Sequence, residues 1–217
     1  MAAAKERLDQ LLKLAAEQRW ALLACELTDL VLAWPQDYPG AMQAPAEALL
    51  EAALRQSDQA TQAELAARMK GHPELPLRLL NILYLAAPAP LRREILMRNE
   101  LDKDGETGEA PADAKTLLAA ARNGTRDFAA ALGRSAAIPR RTAEAILNDA
   151  SGEALAVLCR GSGMDRATFS AIALLRGGDK LPLGVFDNVP ARAAAKLVQF
   201  WRTHSAEPDT SQICAAE

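Results

Sequence analysis

The sequence predicts an all-α protein, an irregular HEAT-like helical repeat (α-solenoid) of about 10–12 short helices. Three observations predict it. The 217 residues include 47 Ala and 33 Leu against only 5 Val and 6 Ile, with aromatics at 4%. Ala and Leu lead the helix-propensity ranking, whereas sheets draw on β-branched and aromatic residues. Apolar residues recur at helical spacing through most of the chain, and Pro, Gly and Asn-Gly breaks cut that pattern into short pieces.

The elements follow in order. Leu8, Leu11, Leu12 and Ala15, then Leu22, Leu23, Leu27, Leu30 and Val31, keep helical spacing up to Trp34-Pro35 and make one long helix or two short ones. The breaker Trp34 to Gly40 follows, and Leu49, Leu50, Ala53 and Leu54 mark the next helix. Ser57-Asp58 reads as the N-cap of a further helix through Met69, closed by Gly71-His72-Pro73. Leu75 to Ala87 reads as a strongly apolar helix with neighbours on more than one side, and Leu91 to Asn99 as a short one.

The acidic, glycine-containing stretch 101–110 reads as an exposed loop and the place where a single domain over 1–203 would subdivide. Four breaks share a form: Pro88-Ala-Pro90, Asn123-Gly124, Ile138-Pro139 and Gly161-Ser-Gly163 each precede an arginine. A large apolar pair follows each time, at Ile95-Leu96, Phe128 with Leu132, Ile146-Leu147, and Phe169 with Ile172. The repeat this suggests is irregular, and its spacing falls short of the ~40 residues of a regular HEAT unit. Gly177-Gly178 ends a helix, 179–188 reads as a turn segment, and Pro190 opens a final helix with Ala193, Leu197, Phe200 and Trp201 on its apolar side. Residues 204–217 read as a disordered tail.

The totals narrow the function classes. A formal charge of −3 gives no overall field toward nucleic acid or an anionic membrane. Apolar runs are far shorter than the ~20 residues of a membrane span, so no membrane partner is expected. Cys25, Cys159 and Cys214 are scattered and never form C-x-x-C, which fits a reducing cytoplasm and neither a disulfide framework nor a zinc site. The N-terminal run passes directly into an amphipathic pattern unlike a secretory signal, and a cytoplasmic location is expected.

Chemistry-bearing residues are sparse. His72 and His204 lack clustered partners, and Cys159 sits on the apolar repeat of Leu155 and Leu158, where thiols serve as small hydrophobes. Asp102, Asp104, Glu106 and Glu109 do not keep EF-hand spacing, because Gly105 follows Asp104 at once. Arg160-Gly-Ser-Gly163 follows a helix and lacks the Lys-Ser/Thr of a P-loop, so it reads as a helix C-terminus. No catalytic residue, metal ligand or cofactor is assigned. The pattern that remains is a set of arginines at helix starts: Arg92, Arg93, Arg126, Arg140, Arg141 and Arg166. Stacked helices would bring several onto one edge able to hold phosphates or acidic side chains, although Glu94, Asp127 and Glu144 sit beside them.

The runs Gly152 to Leu175, Ala63 to Pro76 with Leu79-Leu80, and Ala24 to Leu32 resemble an uncharacterised alphaproteobacterial family, domain-of-unknown-function family 2336. The resemblance implies an all-helical, HEAT-like fold and a bacterial cytoplasmic protein, and it supplies no active site. The acidic loop after Leu101 departs from the family and looks like an insertion. The expected function is a non-enzymatic helical-repeat module binding another protein, in signalling or assembly. The rival is a HEAT-like nucleic-acid binder or base-repair enzyme using the arginine edge. A third reading, a helical pocket for an apolar ligand, would show itself as an apolar cavity.

Overall fold

The computed structural model describes residues 2–35, 38–72, 74–103, 114–123, 125–177 and 183–203. The protein is all-α: the described residues form thirteen α-helices and one 3₁₀ turn, and no strand. They fall into two compact units, 1–95 and 96–217, with the division inside one helix. The acidic stretch beyond residue 103 and the tail after residue 203 lie outside the described residues.

In the first unit, α1 (Ala2–Ala16) and α2 (Trp20–Leu32) are separate helices. The break falls at Gln18, which takes φ +54°. Gln18 N–H donates to the Ala15 carbonyl and Arg19 N–H to the Leu14 carbonyl, both at 3.0 Å, the paired bonds of a Schellman turn. The 3₁₀ turn Gly40–Met42 leads into α3 (Gln43–Gln56), which packs on α2. The cap of α4 (Gln59–Met69) is the expected Asp58, whose Oδ1 accepts from Thr61 N–H at 2.7 Å. Helix α5 is only Leu77–Leu83, shorter than the expected Leu75 to Ala87. Its chain goes on in turns stitched by Ala86 N–H to the Leu83 carbonyl and Ala87 N–H to the Tyr84 carbonyl. Arg78 ties α5 to α3 through Glu47 (3.1 Å) and Glu51 (3.4 Å). Then α6 (Ala89–Leu101) runs longer than Leu91 to Asn99.

The second unit is organised around α10 (Glu153–Gly161), in which Ala154 through Cys159 are all buried. A helix apolar on every side belongs in the middle, and α10 packs against α9 (Arg140–Asn148), α11 (Arg166–Gly177), the short α12 (Val185–Asn188) and α13 (Ala191–Thr203). Helix α8 (Thr125–Ala136) packs between α7 (Ala114–Asn123) and α9. The apolar residues expected after each break are core: Ile95, Phe128, Leu132, Ile146, Phe169 and Ile172 are all buried. Within 179–188, read from sequence as a turn, the described part contains α12, closed onto the core by Phe186.

Helices α10 and α13 approach closely. A Cβ on Gly161 would stand 2.7 Å from Val198 Cγ2 and collide with the Ala194 carbonyl, so only glycine permits the contact. Gly163 (φ +71°) then closes α10 with a second Schellman pair, Gly163 N–H to the Arg160 carbonyl and Met164 N–H to the Cys159 carbonyl. Helix α8 ends the same way at Ala137, φ +53°, with Ala137 N–H on the Arg134 carbonyl and Ile138 N–H on the Gly133 carbonyl.

Two substitutions separate these effects. Ala137→Gly relieves a left-handed residue that carries a Cβ, and after glycine's greater unfolded entropy is subtracted it should stabilise by about 0.5–1 kcal/mol. Gly161→Ala forces α13 off α10 and should destabilise by about 1–3 kcal/mol. Chemical denaturation of the two variants reads both, and an unchanged midpoint for Gly161→Ala contradicts the close approach.

Candidate functional site

The arginines singled out from sequence have different fates. Arg92 is buried at 8% exposure, donating from Nε to the Ala87 carbonyl and from Nη2 to the Leu85 carbonyl, both at 2.9 Å. Its guanidinium also lies 5.5 Å from the Tyr84 ring centre. It therefore closes the turns that end α5, using donors that an external phosphate would need. Arg93 beside it is exposed. In the second unit Arg140 Nε donates to Glu144 Oε1 at 2.8 Å along α9, and Arg166 Nε pairs with Asp187 Oδ2 at 3.1 Å, linking α11 to α12. Arg141 is exposed, and the side chain of Arg126 lies outside the described residues.

The same unit holds a second set of basic residues that the sequence did not single out. Arg160 Nη1 donates to the Phe186 carbonyl (3.0 Å) with its guanidinium 5.3 Å from that ring, and Arg202 Nε donates to the Ala136 carbonyl (2.9 Å). Burial holds the Arg202 guanidinium below its ordinary pKa. Lys196, 4% exposed, donates to the Asp102 backbone carbonyl and, at 2.9 Å, to Asp102 Oδ2. Arg192 donates to that carbonyl as well (3.0 Å), and Glu100 Oε2 accepts from Ala193 N–H (3.0 Å), which caps α13. Sequence reasoning could not find these contacts, since they join residues far apart in the chain.

Helix α11 offers a surface of another kind. Its inner face buries Phe169, Ile172 and Ala173, with Phe169 stacked on Phe186 at 5.2 Å between ring centres. A second apolar stripe, Ala167, Ala171, Leu174 and Leu175, keeps helical i, i+4, i+7, i+8 spacing. It lies outward, with Leu174 at 47% and Leu175 at 46% exposure. The signal was present in the sequence: a twelve-residue helix carrying two interleaved apolar stripes has one more than its own core uses.

In the first unit, a carbon-lined recess of about 230 Å³ opens where α1, α2 and the start of α3 meet. Leu11, Leu27, Leu30 and Leu49 contribute to its walls, together with Trp34 and Tyr38, whose rings meet edge to face at 5.8 Å.

The nucleophile and metal candidates resolve simply. His72 is exposed in the turn after α4, while His204 and Cys214 lie outside the described residues. Among the described residues no group of three or more His, Cys, Asp and Glu side chains comes together, and no helix is long and apolar enough to cross a membrane. Cys159 is fully buried, and burial pushes its thiol up to about 12 from 9.0. Cys25 is raised too, by burial first and by the Glu64 carboxylate next.

Residues 105–207 match the model of domain-of-unknown-function family 2336, described as an uncharacterised protein conserved in bacteria. This is the family that the sequence resembles. The description names bacteria without the narrower restriction to alphaproteobacteria. The matched span, a little under half of the chain, contains α7 through α13, and the resembling stretches Ala24 to Leu32 and Ala63 to Pro76 lie ahead of it. No curated protein and no solved structure matches the chain.

The Cys159 thiol makes a pH prediction. With the folded pKa above the unfolded one, its contribution is complete below pH 9.0 and is lost as pH rises from there toward about 12. Denaturation midpoints of the wild type should fall over that interval more steeply than those of Cys159→Ala. Parallel slopes for the two proteins would show that the thiol is not the group responsible.

Proposed function

We propose that the chain is a non-enzymatic helical-repeat module that docks a helix of another protein on the outer face of α11, working in the bacterial cytoplasm in signalling or assembly. The observation that carries this reading is the outward stripe of Ala167, Ala171, Leu174 and Leu175. Two small residues followed by two leucines give a partner helix close backbone approach at one end and anchor side chains at the other. The stripe lies on a helix tied to α12 through its N-terminal half, by the Arg166–Asp187 pair and the Phe169–Phe186 stack. A rigid apolar helix face is a preorganised docking surface, so little ordering entropy opposes binding.

Polyanion binding by the arginine edge is the weaker reading. Arg140 and Arg166 face carboxylates of their own chain and Arg92 is occupied with carbonyls, so the field toward a phosphate backbone is small. The free thiols of Cys25 and Cys159 support a reducing compartment.

A photo-crosslinking residue placed at Leu175 in cells should give a discrete protein adduct, and the same residue at exposed Arg134 should not. Leu174→Glu should remove that adduct while leaving helicity intact. Equal crosslinking from both positions, or none from either, would sink the reading. Salt-sensitive DNA binding lost on changing Arg140 and Arg141 to Ala would favour the rival instead.

A further inference from the structure

We propose that the helix docked on α11 is an amphipathic one whose apolar face is flanked by carboxylates, and that Arg122 of α7 reads that flank. The inference rests on the docking reading of α11 and adds the chemistry of what docks there. The outward half of α11 is uncharged. It consists of Ala167, Thr168, Ser170, Ala171, Leu174 and Leu175. The two arginines of the helix are engaged elsewhere, Arg166 with Asp187 of α12 and Arg176 over the Phe128 ring at 5.4 Å. The stripe alone therefore selects no sign of charge in a partner, and its border does.

Helix α7 packs against α11. It buries Leu117 and sets Lys115, Ala119 and Arg122 outward at i, i+4, i+7 spacing, with no carboxylate anywhere along it. Arg176 stands in the last turn of α11 and Phe128 in the first turn of α8, directly after α7, so α7 and α11 end on the same side of the unit. Arg122, in the last turn of α7, thus falls at the leucine end of the stripe. It is exposed and pairs with no carboxylate among the described residues. A chain of net charge −3 borders this apolar face with cations.

That sign decides among occupants. A second copy seated on the same face by a two-fold axis would bring two basic borders together, which like-charge repulsion opposes. An anionic bilayer would accept the cations, but interfacial binding draws on large apolar side chains. Half of this stripe is alanine, whose use is close approach of another helix. A helix with Glu or Asp beside its apolar face satisfies both the border and the alanines.

The test uses the full chain and two synthetic amphipathic helices of about 15 residues, identical in their Leu/Ala face and flanked by Glu in one and Lys in the other. The Glu peptide should bind about five- to tenfold more tightly at low salt, chiefly through faster association, and salt should shrink that margin. Arg122→Glu should invert the order, Arg122→Lys should keep it, and Leu174→Glu should remove both peptides with circular dichroism unchanged. Equal affinities that Arg122→Glu does not move, both lost in Leu174→Glu, would overturn the acidic flank and leave docking on α11 standing. Binding of neither peptide, or binding that survives Leu174→Glu, would overturn docking and flank together. A dimer in sedimentation, or binding to phosphatidylglycerol vesicles, that Leu174→Glu abolishes would assign the face to a second copy or to a membrane and overturn the proposal.

Discussion

A chain cut into many short helices must find partners for an unusual number of helix-end carbonyls. Each α-helix leaves its last four C=O groups without intrahelical donors, and a buried carbonyl without one is costly. This protein meets the demand in two ways. Schellman turns at Gln18, Ala137 and Gly163 recover carbonyls locally. Elsewhere a basic side chain reaches over from another segment: Arg92 to the turns after α5, Arg202 to the last residue of α8, Arg160 to α12, and Lys196 with Arg192 to the carbonyl just past α6. A cation at a helix C-terminus also opposes the macrodipole favourably. Each such contact fixes two segments against one another, so end-capping and tertiary structure are the same set of interactions here.

That use of cations explains what the surface has left to offer. Arginines that would compose a phosphate-binding edge are drawn inward or paired along their own elements, as Arg92 and Arg140 are. The second unit also carries an outward apolar stripe on α11, and the first unit opens a recess walled by leucines and two aromatic rings. Apolar recognition is the chemistry this composition supplies most readily, because a leucine not matched by its own core costs little to keep and is ready to pack on something else.

Local signals in the sequence translated faithfully into structure. Asp58 caps α4, Gly163 ends α10 in the left-handed conformation, and the apolar residues after each break are buried except Leu147, which is half-buried, because each depends on residues within one or two turns of each other. The left-handed ends at Gln18 and Ala137 were not legible, since neither position carries the glycine that usually announces such a turn. The shortening of α5 was not legible either: apolar periodicity runs on through Ala87, but the Ala86 and Ala87 N–H groups bond three residues back as turns, and Arg92 takes up the Leu85 and Ala87 carbonyls that those turns leave over. Of the candidate surfaces, the α11 stripe could be read by counting apolar faces. The recess could not, because Arg7, Trp34 and Leu49 come from three separate elements.

The 47 alanines connect these features. A buried alanine removes one methyl from water, and at about 25 cal/mol per Å² it contributes far less than a leucine. Helices rich in it must therefore approach closely to gain dispersion contacts between backbones, as α10 and α13 do where Gly161 meets Ala194. Close approach demands a precise crossing, and a short helix has too few side chains to enforce one by packing alone. Lys196 on Asp102 and Glu100 on the first turn of α13 supply that precision from outside the contact. The ionic and hydrogen-bonded links at the helix ends thus set the geometry in which an alanine interface becomes favourable, and without them the small residues at Gly161 and Ala194 would be only a weak surface.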